Sequence, residues 1–243
     1  MHEFETFVYL DVQKTGSTFV SYLLTQCSTE KALVFRKHLR VEDRYDPNKF
    51  YFITVRDPLD QYISLYSHGC GGQGGLSRRL RRRGHANLYD STWSGFRRWL
   101  KFVLREDNAD LLDDDYGAAE NAQMRELVGF QTYRFLELAI LDPIPTLRKC
   151  KTKDDVRAAY KEKDIVDFTV RHEHFNEDME LLLTTKLRYA MKDADEAVKM
   201  LHDTKRLNES DRVDRFEVDP KLGHNVRQKI NEKEWLLKEL FDY

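Results

Sequence analysis

The chain has 243 residues, and its 40 Lys and Arg against 42 Asp and Glu give a formal net charge of −2, so no global field draws it to nucleic acid or an anionic membrane and any basic site must be local. Hydrophobic residues make up 41%, enough for a real core, while a mean hydropathy of −0.67 and the lack of an apolar run of about 20 residues argue for a soluble chain without a membrane span. The opening MHEFETFVYL does not read as a signal peptide, and Cys27, Cys70 and Cys150 lie too far apart for a metal site or a disulfide framework; a reducing, cytoplasmic setting is the expectation.

In chain order, FVYLDV (7–12) is short, aromatic and β-branched, which predicts a buried strand. After it, Phe19, Val20, Leu23 and Leu24 share one helical face, with Ser17 or Thr18 as the cap. The intervening QKTGST therefore joins a strand to a helix start. Such a turn points several N–H groups and the helix dipole at one spot, and Lys14 adds a full positive charge there, which favours a phosphate or a similar anion. EKALVFRKH (30–38) and KFYFITVRD (49–57) predict two more buried strands, both ending in charged residues as strands do at a ligand crevice. Asp57-Pro58 breaks the second, and a helix follows with Tyr62, Leu65 and Tyr66 on one side.

Strands alternating with helices argue for an α/β domain with a parallel sheet. The stretch 67–85 is glycine-rich and then densely basic, and reads as a mobile loop. An amphipathic helix is predicted over 92–104, an acidic connector over 105–117, and a single long helix over 119–141, stopped by DPIP. A helix at 152–164, a strand at 165–171, a helix at 175–187 and a closing helix packed by Trp235, Leu236, Leu240 and Phe241 return the chain to α/β character. The expected organisation is one domain, 1–243, with a mostly helical insertion at about 69–150. The histidines of RHEH (171–174) are two apart, the wrong spacing for one helical face, and are assigned a structural role.

Two stretches carry the chemistry together. QKTGSTF places Lys14, Thr15, Gly16, Ser17 and Thr18 after one strand; VRDPLDQYIS places Arg56 at the end of another, with Ser64 eight residues later. Arginine offers a planar fork for phosphate oxygens and serine a hydroxyl donor, so the pair suits a ligand with phosphate at both ends. This combination resembles the sulfotransferases that use 3′-phosphoadenosine 5′-phosphosulfate (PAPS), of the carbohydrate and heparan type. The resemblance covers residues 5–68 well and 160–185 more loosely. It implies a P-loop-like three-layer α/β/α fold, PAPS as sulfuryl donor without a metal, and a hydroxyl acceptor, most naturally a saccharide. By position, Lys14 to Thr18 would hold the 5′-phosphosulfate, and Arg56 and Ser64 the 3′-phosphate. Ser17 stands where the family often has a second glycine, and still supplies an N–H.

Two other classes compete with this one. A P-loop kinase requires its lysine after the last glycine of G-x-x-x-x-G-K-[ST]; here Lys14 precedes Gly16 and residues 8–13 contain no glycine. A polyanion-binding module could be built on RRLRRR (78–83), but no aromatics interleave it, and the acidic stretch 105–115 can offset it. Transfer to a hydroxyl needs a base, and His38, after the second predicted strand, should reach the same crevice. By resemblance as well, His38 is the catalytic candidate, with Lys14 offsetting charge on the leaving phosphate oxygen. His68 and Glu42 are its rivals. Arg227 is the one residue put forward for the adenine side.

Overall fold

The computed structural model describes residues 1–203 and 220–243, with the backbone alone at 220–223. In chain order its strands are β1 (His2–Glu3), β2 (Phe7–Leu10), β3 (Val34–Phe35), β4 (Phe50–Val55) and β5 (Phe168–Arg171). The helices that matter below are α1 (Ser17–Cys27), α2 (Pro58–Cys70), α3 (Gly75–Arg82), α4 (Trp93–Val103), α5 (Ala122–Leu127), α6 (Phe130–Ala139), α7 (Lys153–Lys163), α8 (Phe175–Leu181), α9 (Ala194–Asp203), α10 (Pro220–Lys233) and α11 (Trp235–Phe241). The chain divides into two compact units: Met1–Arg56 with Glu137–Leu141 and the described part of Lys163–Glu209, and Asp57–Leu136 with Asp142–Glu162 and the described part of Ser210–Tyr243.

The first unit is a mixed α/β body with a five-stranded sheet in the order β3-β1-β2-β4-β5. β2, β4 and β5 are parallel, in register from Phe7↔Phe50 to Leu10↔Ile53 and from Phe52↔Phe168 to Val55↔Arg171. β1 is antiparallel to both β2 and β3, so β3 runs in the same direction as β2. The carboxyl ends of β2, β3, β4 and β5 therefore all emerge at one edge. Chain order also reverses beside β2, with β3 on one side and β4 on the other, which is where open α/β sheets bind ligands. Phe7, Tyr9, Phe52 and Val170 of the sheet pack with Phe19, Val20, Leu23 and Leu24 of α1 and with Phe175 and Met179 of α8. The Tyr9 and Phe52 rings stack at 4.8 Å.

The second unit is helical. Tyr62 and Tyr66 of α2 pack against Trp99 of α4 at ring separations of 6.1 and 5.5 Å, and Thr92 caps α4 through the Gly95 N–H.

Four predicted elements come out differently. The stretch 30–38 is not a buried strand: only Val34 and Phe35 pair, at the sheet edge, and Phe35 is 55% exposed. The stretch 67–85 is not a loop, because α2 runs to Cys70 and α3 follows it. Leu76 and Leu80, one turn apart, are buried, and Ser77 donates to the Gly69 carbonyl at 3.1 Å. The long helix of 119–141 is interrupted at Val128, which is extended. Gly129 then lies so close to the Glu234 carboxylate that no side chain fits there. The helix of 175–187 changes to a wider π turn over Leu182–Lys186. α9 is a helix beyond those the sequence pattern predicts.

Candidate active site

The turn that leaves β2 has an unusual backbone. Lys14 has φ +67° and Gly16 φ +93°, both in the left-handed region, which costs a lysine energy and a glycine little. A Cβ on Gly16 would also stand 3.3 Å from the Phe175 ring and 3.8 Å from that of His172. Gly16 itself is the N-cap of α1, with no side-chain cap. The expected cap by Ser17 or Thr18 is thus replaced by a glycine, whose carbonyl takes the Phe19 and Val20 N–H groups. No side chain caps the first turn, and its N–H groups with the dipole behind them form an anion cradle.

Thr15 faces the other way. Fully buried, its hydroxyl donates to the Val12 carbonyl at 2.8 Å and lies 2.6 Å from the Thr54 hydroxyl, itself 2.8 Å from that of Tyr9. This chain of hydroxyls pins the turn to β2 and β4, so Thr15 can offer a ligand its backbone but not its side chain.

Three cations surround the turn. Burial pushes the half-buried Lys14 ammonium down to about 8, and the charges of Arg56 and Lys37 push the same way. Arg56, nearly buried at the end of β4, donates to the Lys14 carbonyl at 3.4 Å. Lys37, beyond β3, reaches the Thr18 hydroxyl at 3.4 Å. Lys37 was not singled out from the sequence; its only signal there was its place at a strand end. Like charges crowded and desolvated around one turn are what an anion relieves.

His38 is the next residue along the chain after Lys37. Its backbone N–H donates to Asp11 Oδ1 at 2.9 Å and its Nδ1 lies 2.7 Å from the Asp11 carbonyl. Asp11 directly follows β2, so the strand that carries the lysine turn also holds this histidine. Burial alone would raise the Asp11 carboxyl. The hydrogen bond from His2 and the charges of the Met1 amino group and His38 outweigh it and hold the carboxyl at about 2.

Of the rivals, Glu42 is 59% exposed and pairs with Arg40 at 3.2 Å, whose other end holds Glu137 at 2.7 Å. His68 lies on α2 in the second unit, its ring 3.0 Å from a would-be Cβ on Gly74. Ser64 is half-buried on the same helix. Arg227, on α10, pairs with Asp57 at 2.9 Å. In the basic cluster, Arg79 pairs with Asp114 through two bonds of 2.9 Å, and Arg81 donates to the Gly69 carbonyl and covers the Tyr89 ring. Those two arginines are part of the fold of the second unit.

Residues 1–126, just over half of the chain, match the family model described as the sulfotransferase family. The chain belongs to that family. Lys14 to Thr18, His38, Arg56 and Ser64 all fall inside the matched span. No curated protein and no solved structure matches the chain. As a sulfotransferase it is a transferase that moves a sulfuryl group, and membership implies an acceptor bearing a hydroxyl. Among the described residues, no helix is long and apolar enough to cross a membrane.

Proposed function

We propose that this sulfotransferase takes its sulfuryl group from PAPS and passes it to a hydroxyl of a saccharide. The observation that carries the donor is the uncapped start of α1 at a strand end, with Lys14, Lys37 and Arg56 around it. The acceptor class rests on the family resemblance. The parallel β2, β4 and β5 with a strand–turn–helix at the site support a P-loop-like fold, read as one catalytic domain.

In this reading the first-turn N–H groups of α1 and the Lys14 ammonium hold the 5′-phosphosulfate. The Arg56 fork holds the 3′-phosphate, and Ser64 is added by its spacing of eight residues from Arg56. The bound donor supplies an activated sulfuryl group on a phosphate leaving group. His38 takes the proton of the attacking hydroxyl, while Lys14 offsets the charge that develops on the phosphate oxygen.

The deciding measurement is thermal unfolding with 3′-phosphoadenosine 5′-phosphate, adenosine 5′-phosphate and ATP. At about 100 times its Kd the first should stabilise the protein by about 2.7 kcal/mol, and at equal concentration the other two much less. Arg56→Ala should cost the 3′-phosphorylated nucleotide roughly 1.5–3 kcal/mol and largely spare adenosine 5′-phosphate, because a charge-assisted contact is lost from one and not the other. Equal stabilisation by ATP would overturn the donor assignment. His38→Ala should leave nucleotide affinity intact and lower transfer of labelled sulfate by about 10²–10⁴.

A further inference from the structure

We propose that Asp11 is the positioning residue of the reaction, fixing His38 with its proton on Nδ1 so that Nε2 is the atom that accepts the hydroxyl proton. The inference rests on the sulfuryl-transfer reading for its chemistry and on geometry for the rest. A carbonyl oxygen can only accept a hydrogen bond, so the 2.7 Å contact between His38 Nδ1 and the Asp11 carbonyl places a proton on Nδ1. In the neutral ring the lone pair then belongs to Nε2.

The same residue grips the histidine twice more. Its Oδ1 accepts the His38 N–H at 2.9 Å, and its Oδ2 lies 3.5 Å from Nδ1. The grip holds a strained backbone, since His38 has φ +57°. A non-glycine residue in that region persists only where its surroundings over-determine it, and such residues gather at functional sites.

Burial separates the ring from everything that supports it. Asp11 is 0% exposed and His2 1%, with His2 Nε2 3.6 Å from Asp11 Oδ2 and 3.2 Å from the Ser21 hydroxyl on α1. The Met1 amino group also faces Asp11, at 2.8 Å. The His38 side chain alone in this cluster is substantially exposed, at 25%. A buried carboxylate is costly unless paired, and here its pairing ends on an imidazole that reaches solvent.

The step balances. The acceptor oxygen bonds to sulfur as its proton passes to His38 Nε2. The bond from sulfur to the bridging phosphate oxygen breaks, and its electron pair stays on that oxygen. The imidazolium so formed keeps Nδ1–H on the Asp11 carbonyl, with the Asp11 carboxylate beside it to stabilise the new charge.

The test compares the wild type with Asp11→Asn, which retains an oxygen for the His38 N–H and loses the charge, and with Asp11→Ala, which loses both. His38→Ala assigns the ring signals. Long-range ¹H–¹⁵N spectra of the histidine rings should show neutral His38 protonated at Nδ1 in the wild type; the residue 11 carbonyl survives in both variants, so a shift toward the Nε2–H form in Asp11→Ala would report that the carboxylate's hold on the His38 N–H is what keeps the ring on that carbonyl. Turnover should fall about 10–100-fold in Asp11→Asn, less than the roughly 10²–10⁴ expected for loss of the base itself, because Asn keeps His38 in place. Affinity for 3′-phosphoadenosine 5′-phosphate should hold within about twofold, since Asp11 touches no part of the anion cradle. The acid limb of the kcat–pH profile should move to lower pH in Asp11→Asn, because the imidazolium loses a negative neighbour while His2, Lys37 and the Met1 amino group remain. A wild-type His38 protonated at Nε2 would overturn the proposal, as would an Asp11→Asn enzyme with unchanged turnover and pH limb. A wild type that binds no nucleotide and transfers no sulfate would instead sink the sulfuryl-transfer reading, and the ring spectrum would still decide the Asp11–His38 geometry.

Discussion

Lys14 is the residue whose chemistry differs most from that of a lysine in water. Burial first, then Arg56 and Lys37, hold its ammonium at about 8 instead of 10.5. Between those two values the unfolded chain binds a proton that the folded chain has lost, so Lys14 makes the free protein more stable as pH rises through that window. Ligand binding has the opposite sign. A phosphate group beside the ammonium raises its pKa again, so binding takes up a proton and affinity falls as pH climbs above about 8. Calorimetric titration of 3′-phosphoadenosine 5′-phosphate at about pH 9, in two buffers of different ionisation enthalpy, should report uptake of roughly one proton or somewhat less. Lys14→Arg should report none, because a guanidinium stays charged throughout. A wild type without proton uptake would remove Lys14 from the anion site. Lys14 and Arg56 were legible in the sequence because each lies in a local strand–turn–helix signal. Lys37 and Asp11 were not, since their roles depend on β3 lying two places from β2 in the sheet, which no local pattern records.

The turn between β2 and α1 has two structural requirements, and each can be broken separately. Gly16 supplies a backbone conformation, and Ala there should cost about 1–2 kcal/mol of stability through left-handed strain, with further loss from crowding Phe175. Thr54 supplies a hydrogen-bond link between Tyr9 on β2 and Thr15 in the turn. Thr54→Val keeps the shape of the side chain and leaves two buried hydroxyls short of a partner, at a cost of about 1–3 kcal/mol in urea unfolding. Both variants should weaken 3′-phosphoadenosine 5′-phosphate binding; a Thr54→Val protein that unfolds at the wild-type midpoint would show that the hydroxyl chain does not hold the turn. β2, β4, α1 and α4 were legible because their apolar residues repeat with a strand or helix period, and β5 lies within the strand read at 165–171. β3 was over-read: an apolar run looks the same at a sheet edge as in its centre. α3 was missed because glycines and arginines outweigh the two leucines that bury it. The break before α6 was invisible because its cause, the Glu234 carboxylate, lies far along the chain.

That carboxylate also gives the whole chain a pH signature. The second unit is assembled from separate stretches of sequence, and two of them meet at Glu234, which is fully buried. It accepts hydrogen bonds from the Tyr62 hydroxyl on α2, from the Thr132 N–H and hydroxyl at 2.7 and 2.6 Å, and from the Gln131 N–H at 3.3 Å. Gln131 and Thr132 are in the first turn of α6, where a negative charge also meets the positive end of the helix. Burial nonetheless raises the Glu234 carboxyl above its ordinary 4.5, against the pull of those bonds. The folded chain therefore keeps this proton to higher pH than the unfolded chain. Its contribution to stability is complete below about 4.5 and declines as pH rises through the folded value. Glu234→Gln removes the titration. It also destabilises the fold, because each carboxylate oxygen faces a backbone N–H, Gln131 on Oε1 and Thr132 on Oε2. Whichever way the amide turns, its NH₂ meets a donor that cannot accept, at a cost of about 1–3 kcal/mol. Urea unfolding of both proteins across a pH series should show the wild type more stable throughout, with the gap widest at the acid end and narrowing as pH rises. A gap independent of pH would mean that Glu234 titrates alike in the folded and unfolded chains, and that the hydrogen bonds have cancelled the effect of burial.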